Sequence, residues 1–124
     1  MSKKILIFGG TGAIGFSIAK KIIKEGYTPI LISRNEEELV NKSKEINCEY
    51  EVCDVLDQDQ IDQISNKHTD TVNGLAYCVG SINLKPLKIT KDTDFIESFK
   101  INTLGAINVI KSNTESLAKN NGSI

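Results

Sequence analysis

The 124 residues carry 15 basic and 16 acidic side chains, a net charge of −1, which argues against nucleic acid or an anionic membrane surface as partner and points to a small molecule. A chain of this length buries about two thirds of its unfolded surface on folding, so one domain over residues 1–124 is expected without a stapling metal or disulfide. Cys48, Cys53 and Cys78 lack C-x-x-C or Cys/His ligand spacing, no apolar run reaches membrane-spanning length, and Met1-Ser2-Lys3-Lys4 runs directly into apolar residues; these features lead us to expect a cytoplasmic protein with free thiols, no metal and no leader peptide.

Ile5-Leu6-Ile7-Phe8 reads as a buried parallel strand, Gly9-Gly10-Thr11-Gly12-Ala13-Ile14-Gly15 as a glycine turn, and Phe16 to Glu25 as an amphipathic helix. Strand, glycine loop and helix follow in the order a dinucleotide site needs. Gly9 permits a sharp turn, Gly12 permits close approach of a pyrophosphate, and Gly15 permits tight helix-to-strand packing, while the helix start offers unpaired N–H groups. The competing reading is a tight strand-to-helix turn without a ligand. Ile14, Ile18, Ala19, Ile22 and Ile23 recur at helical spacing as the expected apolar face, and Gly26 is placed to end the helix.

Tyr27 to Ser33 contains Ile30, Leu31 and Ile32 and reads as a second strand, with Pro29 tolerable near its start. Sites that prefer the dephosphorylated cofactor place Asp or Glu at the end of this strand to hold the ribose 2′-hydroxyl. Here the position falls on Ser33, followed by Arg34, a pair that accommodates a 2′-phosphate and favours NADP over NAD. The alternative for Arg34 is a solvated surface arginine. Glu36-Glu37-Glu38 then suit the positive end of a helix running to about Ile46.

Cys48 to Val55 reads as a third strand, with Cys48 and Cys53 on opposite faces and Asp54 at the C-terminal end, where parallel sheets bind ligands. Asp57 is a candidate N-cap for a helix that turns Ile61 and Ile64 to the sheet and carries the sole histidine, His68, in its last turn, where a surface position is expected. Val72 to Val79 makes a fourth strand, and Gly80 opens a loop. Right-handed crossovers give the order 3-2-1-4, which places Gly80 beside the first glycine loop. The fold class is therefore α/β, a Rossmann-like doubly wound parallel sheet of about four strands with helices on both faces, and partial.

Asp92 to about Lys119 is expected as one long helix with Phe95, Phe99, Ala106, Ile110 and Leu117 along one face. Asn102 falls in that stripe, and a buried amide without partners costs on the order of 1–3 kcal/mol, so neighbours should satisfy it. An asparagine capped by backbone, or left at the stripe's edge, is the alternative. Ser123-Ile124 reads as the start of a fifth strand.

Together these features resemble the short-chain dehydrogenase/reductase family over the whole chain. Gly9 to Gly15 is similar to that family's coenzyme loop, and Asp54-Val55 to its adenine-contacting acidic position. Gly80 closes a segment, Tyr77-Cys78-Val79-Gly80, where the family usually has Asn-Asn-Ala-Gly. Phe99-Lys100-Ile101-Asn102-Thr103-Leu104-Gly105 resembles the Phe-x-x-Asn-x-x-Gly helix segment, and Gly122-Ser123-Ile124 the opening of the fifth strand. Ala13 departs from the commonest glycine pattern. The resemblance implies cofactor contacts from Gly9, Thr11, Gly12, Ile14, Gly15, Ser33, Arg34, Asp54, Val55 and Gly80. It implies hydride transfer between a nicotinamide and a carbonyl or alcohol carbon.

The family's catalytic serine, and its tyrosine followed four residues later by lysine, have no counterpart here. Tyr27, Tyr50 and Tyr77 are followed at that spacing by Leu31, Asp54 and Ser81. Only Asn102 carries over from the catalytic group, with an implied role in supporting a water and proton relay. The expectation is the coenzyme-binding half of an NADP-dependent oxidoreductase, truncated and incomplete at the C-terminus and inactive by itself. A dinucleotide-sensing module, or a folded fragment without binding activity, are the alternatives. An uncovered fourth strand and long helix lead us to expect a homo-oligomer, against which a monodisperse monomer in light scattering would count.

Overall fold

The computed structural model describes residues 3–124. Its four strands, β1 (Lys4–Phe8), β2 (Thr28–Ser33), β3 (Glu49–Val52) and β4 (Val72–Tyr77), form one parallel sheet in the order β3-β2-β1-β4. This is the doubly wound arrangement expected from the sequence. Leu6 and Phe8 of β1 pack on one face with residues of α3 (Gln58–His68) and α5 (Gly105–Lys119). Ile7 points the other way, toward Phe16 and Ala19 of α1 (Ala13–Lys24) and Leu39 of α2 (Glu36–Ile46). Both faces of β1 and β2 are covered, which explains their uninterrupted apolar runs. Each fully buried Leu, Ile or Phe contributes about 1.5–3 kcal/mol. Cys48 and Cys53 flank β3 and pack on opposite faces, as the alternation requires.

Local chemistry sets the element ends. Gly26 follows α1 with φ +89°, and Tyr27 N–H closes the turn on Ile22 O at 2.9 Å. Asn35 caps α2 by accepting from Glu38 N–H at 3.1 Å, and Asp57 caps α3 by accepting from Gln60 N–H at 3.2 Å. Pro29 pairs with β1, whereas the ladder with β3 starts only at Ile30, so its missing N–H leaves no gap on that side. Ser123 bridges Gly74 in parallel, with Leu75 N–H donating to Ser123 O at 3.0 Å, consistent with a fifth strand starting beside β4.

Several expectations are corrected. The core face of α1 centres on Gly15, Phe16 and Ala19, while Ile14 is 72% exposed and Ile23 40%. The strand β3 ends at Val52, two residues before Asp54, and β4 ends at Tyr77. The expected single helix is three segments: α4 (Asp92–Phe99), a π-helical stretch (Lys100–Leu104) and α5. Phe95 and Phe99 lie outside the core at 56% and 53% exposure. Asn102 is exposed, and the buried asparagine is Asn113, whose Nδ2 donates to Val109 O at 2.9 Å while its Oδ1 has no partner among the described residues.

His68 is buried, not at the surface, because Glu51 on β3 meets its Nε2 at 3.1 Å and also accepts from Lys67. Burial opposes ionisation of Glu51, but the hydrogen bonds and charges of Lys67 and His68 outweigh it and hold the carboxyl below its usual value. A lowered pKa contributes stability that is present above the unfolded-state value and lost as pH falls through the folded one. Glu51→Gln is therefore expected to cost on the order of 1 kcal/mol at neutral pH. Urea denaturation should show this difference from the parent chain shrinking as pH falls below the normal carboxylate range; a gap constant across acid pH would contradict the pairing.

Candidate functional site

The β1–α1 turn is built around backbone contacts. Gly9 N–H and Gly10 N–H both donate to Ile32 O, at 2.8 and 3.2 Å, which pulls the turn onto the end of β2. Gly9 has φ +80°, and an added Cβ would lie 2.6 Å from the Cys78 carbonyl carbon and oxygen. A Cβ on Gly15 would collide with the Gly9 carbonyl. Gly12 differs: at φ −74° any residue is allowed, and its nearest neighbour would be Gly9 O at 3.5 Å. Neither backbone strain nor protein packing explains a glycine there. The N–H groups of Thr11, Ala13, Ile14 and Gly15 donate to no acceptor among the described residues, so the positive end of α1 carries four free donors.

Gly9, Thr11 and Gly12 of this turn border a cleft of about 260 Å³ at the C-terminal ends of the strands, where β1 lies between β2 and β4. Eight of the ten expected cofactor residues line it: Gly9, Thr11, Gly12, Ser33, Arg34, Asp54, Val55 and Gly80. Gly15 sits beneath the turn, and the Ile14 side chain faces a separate shallow groove on α1, leaving only its N–H near the loop. Thr11 Oγ1 donates to Ser33 Oγ at 3.3 Å, tying the glycine loop to the end of β2. Arg34 makes no ion pair among the described residues.

The opposite wall comes from elements that the sequence pattern did not connect. Asn102 is outside the cleft but clamps its rim: Ser81 N–H donates to Asn102 Oδ1 at 3.0 Å, and Asn102 Nδ2 donates to Ser81 O at 3.0 Å and to Ser98 Oγ at 3.1 Å. Its amide is satisfied, as expected, though by the loop rather than within a core. Tyr77 donates its hydroxyl to Ile101 O at 2.6 Å, inside the π-helical stretch. Burial pushes the Tyr77 phenol up to about 12, so the hydroxyl remains a donor at neutral pH. Ser81 and Ile101 line the cleft and were not anticipated. Cys53 and Cys78 also border it. Burial, reinforced by Asp54 and Asp57, pushes Cys53 up to about 11, and burial pushes Cys78 up as well, so the surroundings disfavour the thiolate at both.

No metal-binding cluster of His, Cys, Asp and Glu occurs among the described residues, and no helix among them is long and apolar enough to cross a membrane. The parallel sheet ordered 3-2-1-4 and the cleft at its switch point define a Rossmann-like α/β protein. Residues 3–124 match the short chain dehydrogenase family model, and the chain belongs to that family. It is 30% identical over 130 residues to a mouse (Mus musculus) 3-oxoacyl-(acyl-carrier-protein) reductase, covering 100% of this chain and 55% of the mouse protein. It is 27% identical to carbonyl reductase family member 4 of Danio rerio, again over 100% of this chain and 55% of the relative. Among solved structures it resembles ElxO with NADP bound, at TM-score 0.87 and 28% identity, over 99% of this chain and 53% of ElxO. The chain thus spans about half the length of these relatives.

Proposed function

We propose that residues 1–124 form the dinucleotide-binding half of an NADP-dependent short-chain oxidoreductase. The observation that carries this reading is Gly12, where a Cβ would fill space that no protein atom needs, beside four free N–H donors. An anionic pyrophosphate suits that cradle: close backbone approach, N–H donors and the helix dipole all favour it. Thr11, Ile14 and Gly15 would hold the phosphates. Ser33 and Arg34 would hold the adenosine ribose and its 2′-phosphate, and Asp54 and Val55 the adenine. Gly80, held by the Asn102 clamp through its neighbour Ser81, would border the nicotinamide side. That ElxO was solved with NADP bound supports the choice of cofactor.

The bound nicotinamide would supply or accept hydride at a carbonyl or alcohol carbon of a small-molecule substrate. This chain's contribution is binding and orientation. With no tyrosine followed four residues later by lysine, these residues offer no proton donor of the family's kind, and binding without turnover is the behaviour we infer for them. We also propose self-association, supported by the exposed apolar side chains of Leu84, Leu87, Phe95, Ile96 and Phe99.

Ser33→Asp tests the cofactor assignment. A carboxylate at the end of β2 should repel a 2′-phosphate and accept from a 2′-hydroxyl, so calorimetry should show weaker NADPH binding together with tighter NADH binding. A parallel change for both cofactors would contradict the placement of the ribose.

A further inference from the structure

The turn between β3 and α3 uses its polar groups in an unusual way. Asp57 is the N-cap of α3, and Gln60 occupies the third helical position, from which a glutamine ordinarily reaches back to the N-cap N–H. That N–H is already taken: Asp57 N–H donates to Asp54 O at 2.9 Å. The Gln60 side chain instead passes the cap, and its Oε1 accepts from Asp54 N–H at 2.7 Å. Leu56 N–H donates to Asp54 Oδ1 at 2.9 Å. Three of the four polar groups of Asp54 are thereby fixed from within the turn. Its Oδ2 accepts from no donor among the described residues, and the adjoining Val55 N–H has no acceptor among them, although Val55 is 6% exposed. Both residues line the cleft.

We infer that Gln60 is a positioning residue for base selectivity: by fixing the Asp54 backbone it presents an acceptor, Asp54 Oδ2, beside a donor, Val55 N–H, to the purine. The inference rests on the dinucleotide reading above and adds to it a determinant outside the cleft lining. An acceptor next to a donor matches the amino group and ring nitrogen on the Watson–Crick edge of adenine. Hypoxanthine presents a carbonyl and a ring N–H at the same places, so both contacts become mismatched. Each unmet polar contact in a largely desolvated site weakens binding severalfold or more. Without the Gln60 acceptor, Asp54 N–H loses its partner, and the turn, then held by the Leu56 and Asp57 N–H groups alone, fixes the carboxylate less closely, which weakens the distinction between the bases.

The test titrates the chain with NADPH and with reduced nicotinamide hypoxanthine dinucleotide phosphate, in parent, Gln60→Met and Gln60→Glu forms, beside thermal unfolding of each. The parent should prefer the adenine form by about tenfold or more. Gln60→Met, similar in length and helix propensity but without a strong acceptor, should lose most of that preference. Gln60→Glu, whose carboxylate still accepts from Asp54 N–H, should retain it. Gln60→Ala is the second acceptor-free variant should the methionine form fail to fold. A residue that merely stabilises α3 would lower the melting temperature and leave the ratio of affinities unchanged. An unchanged ratio in the acceptor-free variants, or a parent that binds both bases equally, overturns the inference and spares the dinucleotide reading. A folded parent that binds neither dinucleotide overturns both.

Discussion

Gly9→Ala and Gly15→Ala should each destabilise the chain strongly, whereas Gly12→Ala should leave it folded and strip it of dinucleotide binding. At Gly9 two costs add: a side chain at φ +80° costs roughly 1–2 kcal/mol, and forcing a Cβ to 2.6 Å from the Cys78 carbonyl overpacks a backbone contact. Overpacking costs about 1–3 kcal/mol, so the sum is a large share of the roughly 5–15 kcal/mol that holds a small domain folded. At Gly15 alanine brings a helix-propensity gain of up to about 1 kcal/mol. That gain cannot offset a Cβ driven into the Gly9 carbonyl, with Gly10 Cα only 3.1 Å away, because neither atom is on a flexible side chain. At Gly12 the conformation is unstrained and the space is open. Alanine is a poorer N-cap there, but the stability change should stay within about 1 kcal/mol. Urea denaturation separates the three variants, and calorimetry then asks whether the folded Gly12→Ala chain binds NADPH. Equal stability losses at all three positions would mean that the loop's glycines serve packing alone.

Arg34→Ala carries the second large effect. A guanidinium with no ion pair among the described residues, lining the cleft beside Ser33, is available to a 2′-phosphate, and hydrogen bonds to charged groups contribute about 1.5–3 kcal/mol. Removing it should weaken NADPH binding by roughly 10- to 100-fold. NADH, which has no 2′-phosphate, should bind as before. An equal loss for both cofactors would place Arg34 elsewhere on the ligand or in the fold.

What was legible in the sequence was what local pattern and topology dictate. The glycine spacing after an apolar strand located the β1–α1 turn, and right-handed crossovers gave the strand order. The alternation of β3 put Cys48 and Cys53 on opposite faces. What was not legible depends on contacts between distant residues. Nothing near residue 101 announces a π-helical stretch, because its carbonyl is engaged by Tyr77, 24 residues earlier. His68 reads as a surface residue until Glu51 of β3 is seen against it. The spacing of Phe95 and Phe99 reports an apolar face but not what covers it, and both side chains stay exposed. Asn102 and Asn113 lie on the same helical run, and only the packing of α5 against α3 and β4 decides that the second is the buried one. Gln60 carries no signal in the sequence, and its reach to Asp54 emerges only with the turn.

The most direct test of the account is a calorimetric titration of the unmodified chain with NADPH and NADH. Saturable binding of NADPH, tighter than that of NADH, is the result predicted by the Gly12 cradle and the Ser33-Arg34 pair. A folded sample that binds neither would contradict the assignment of this cleft as a dinucleotide site.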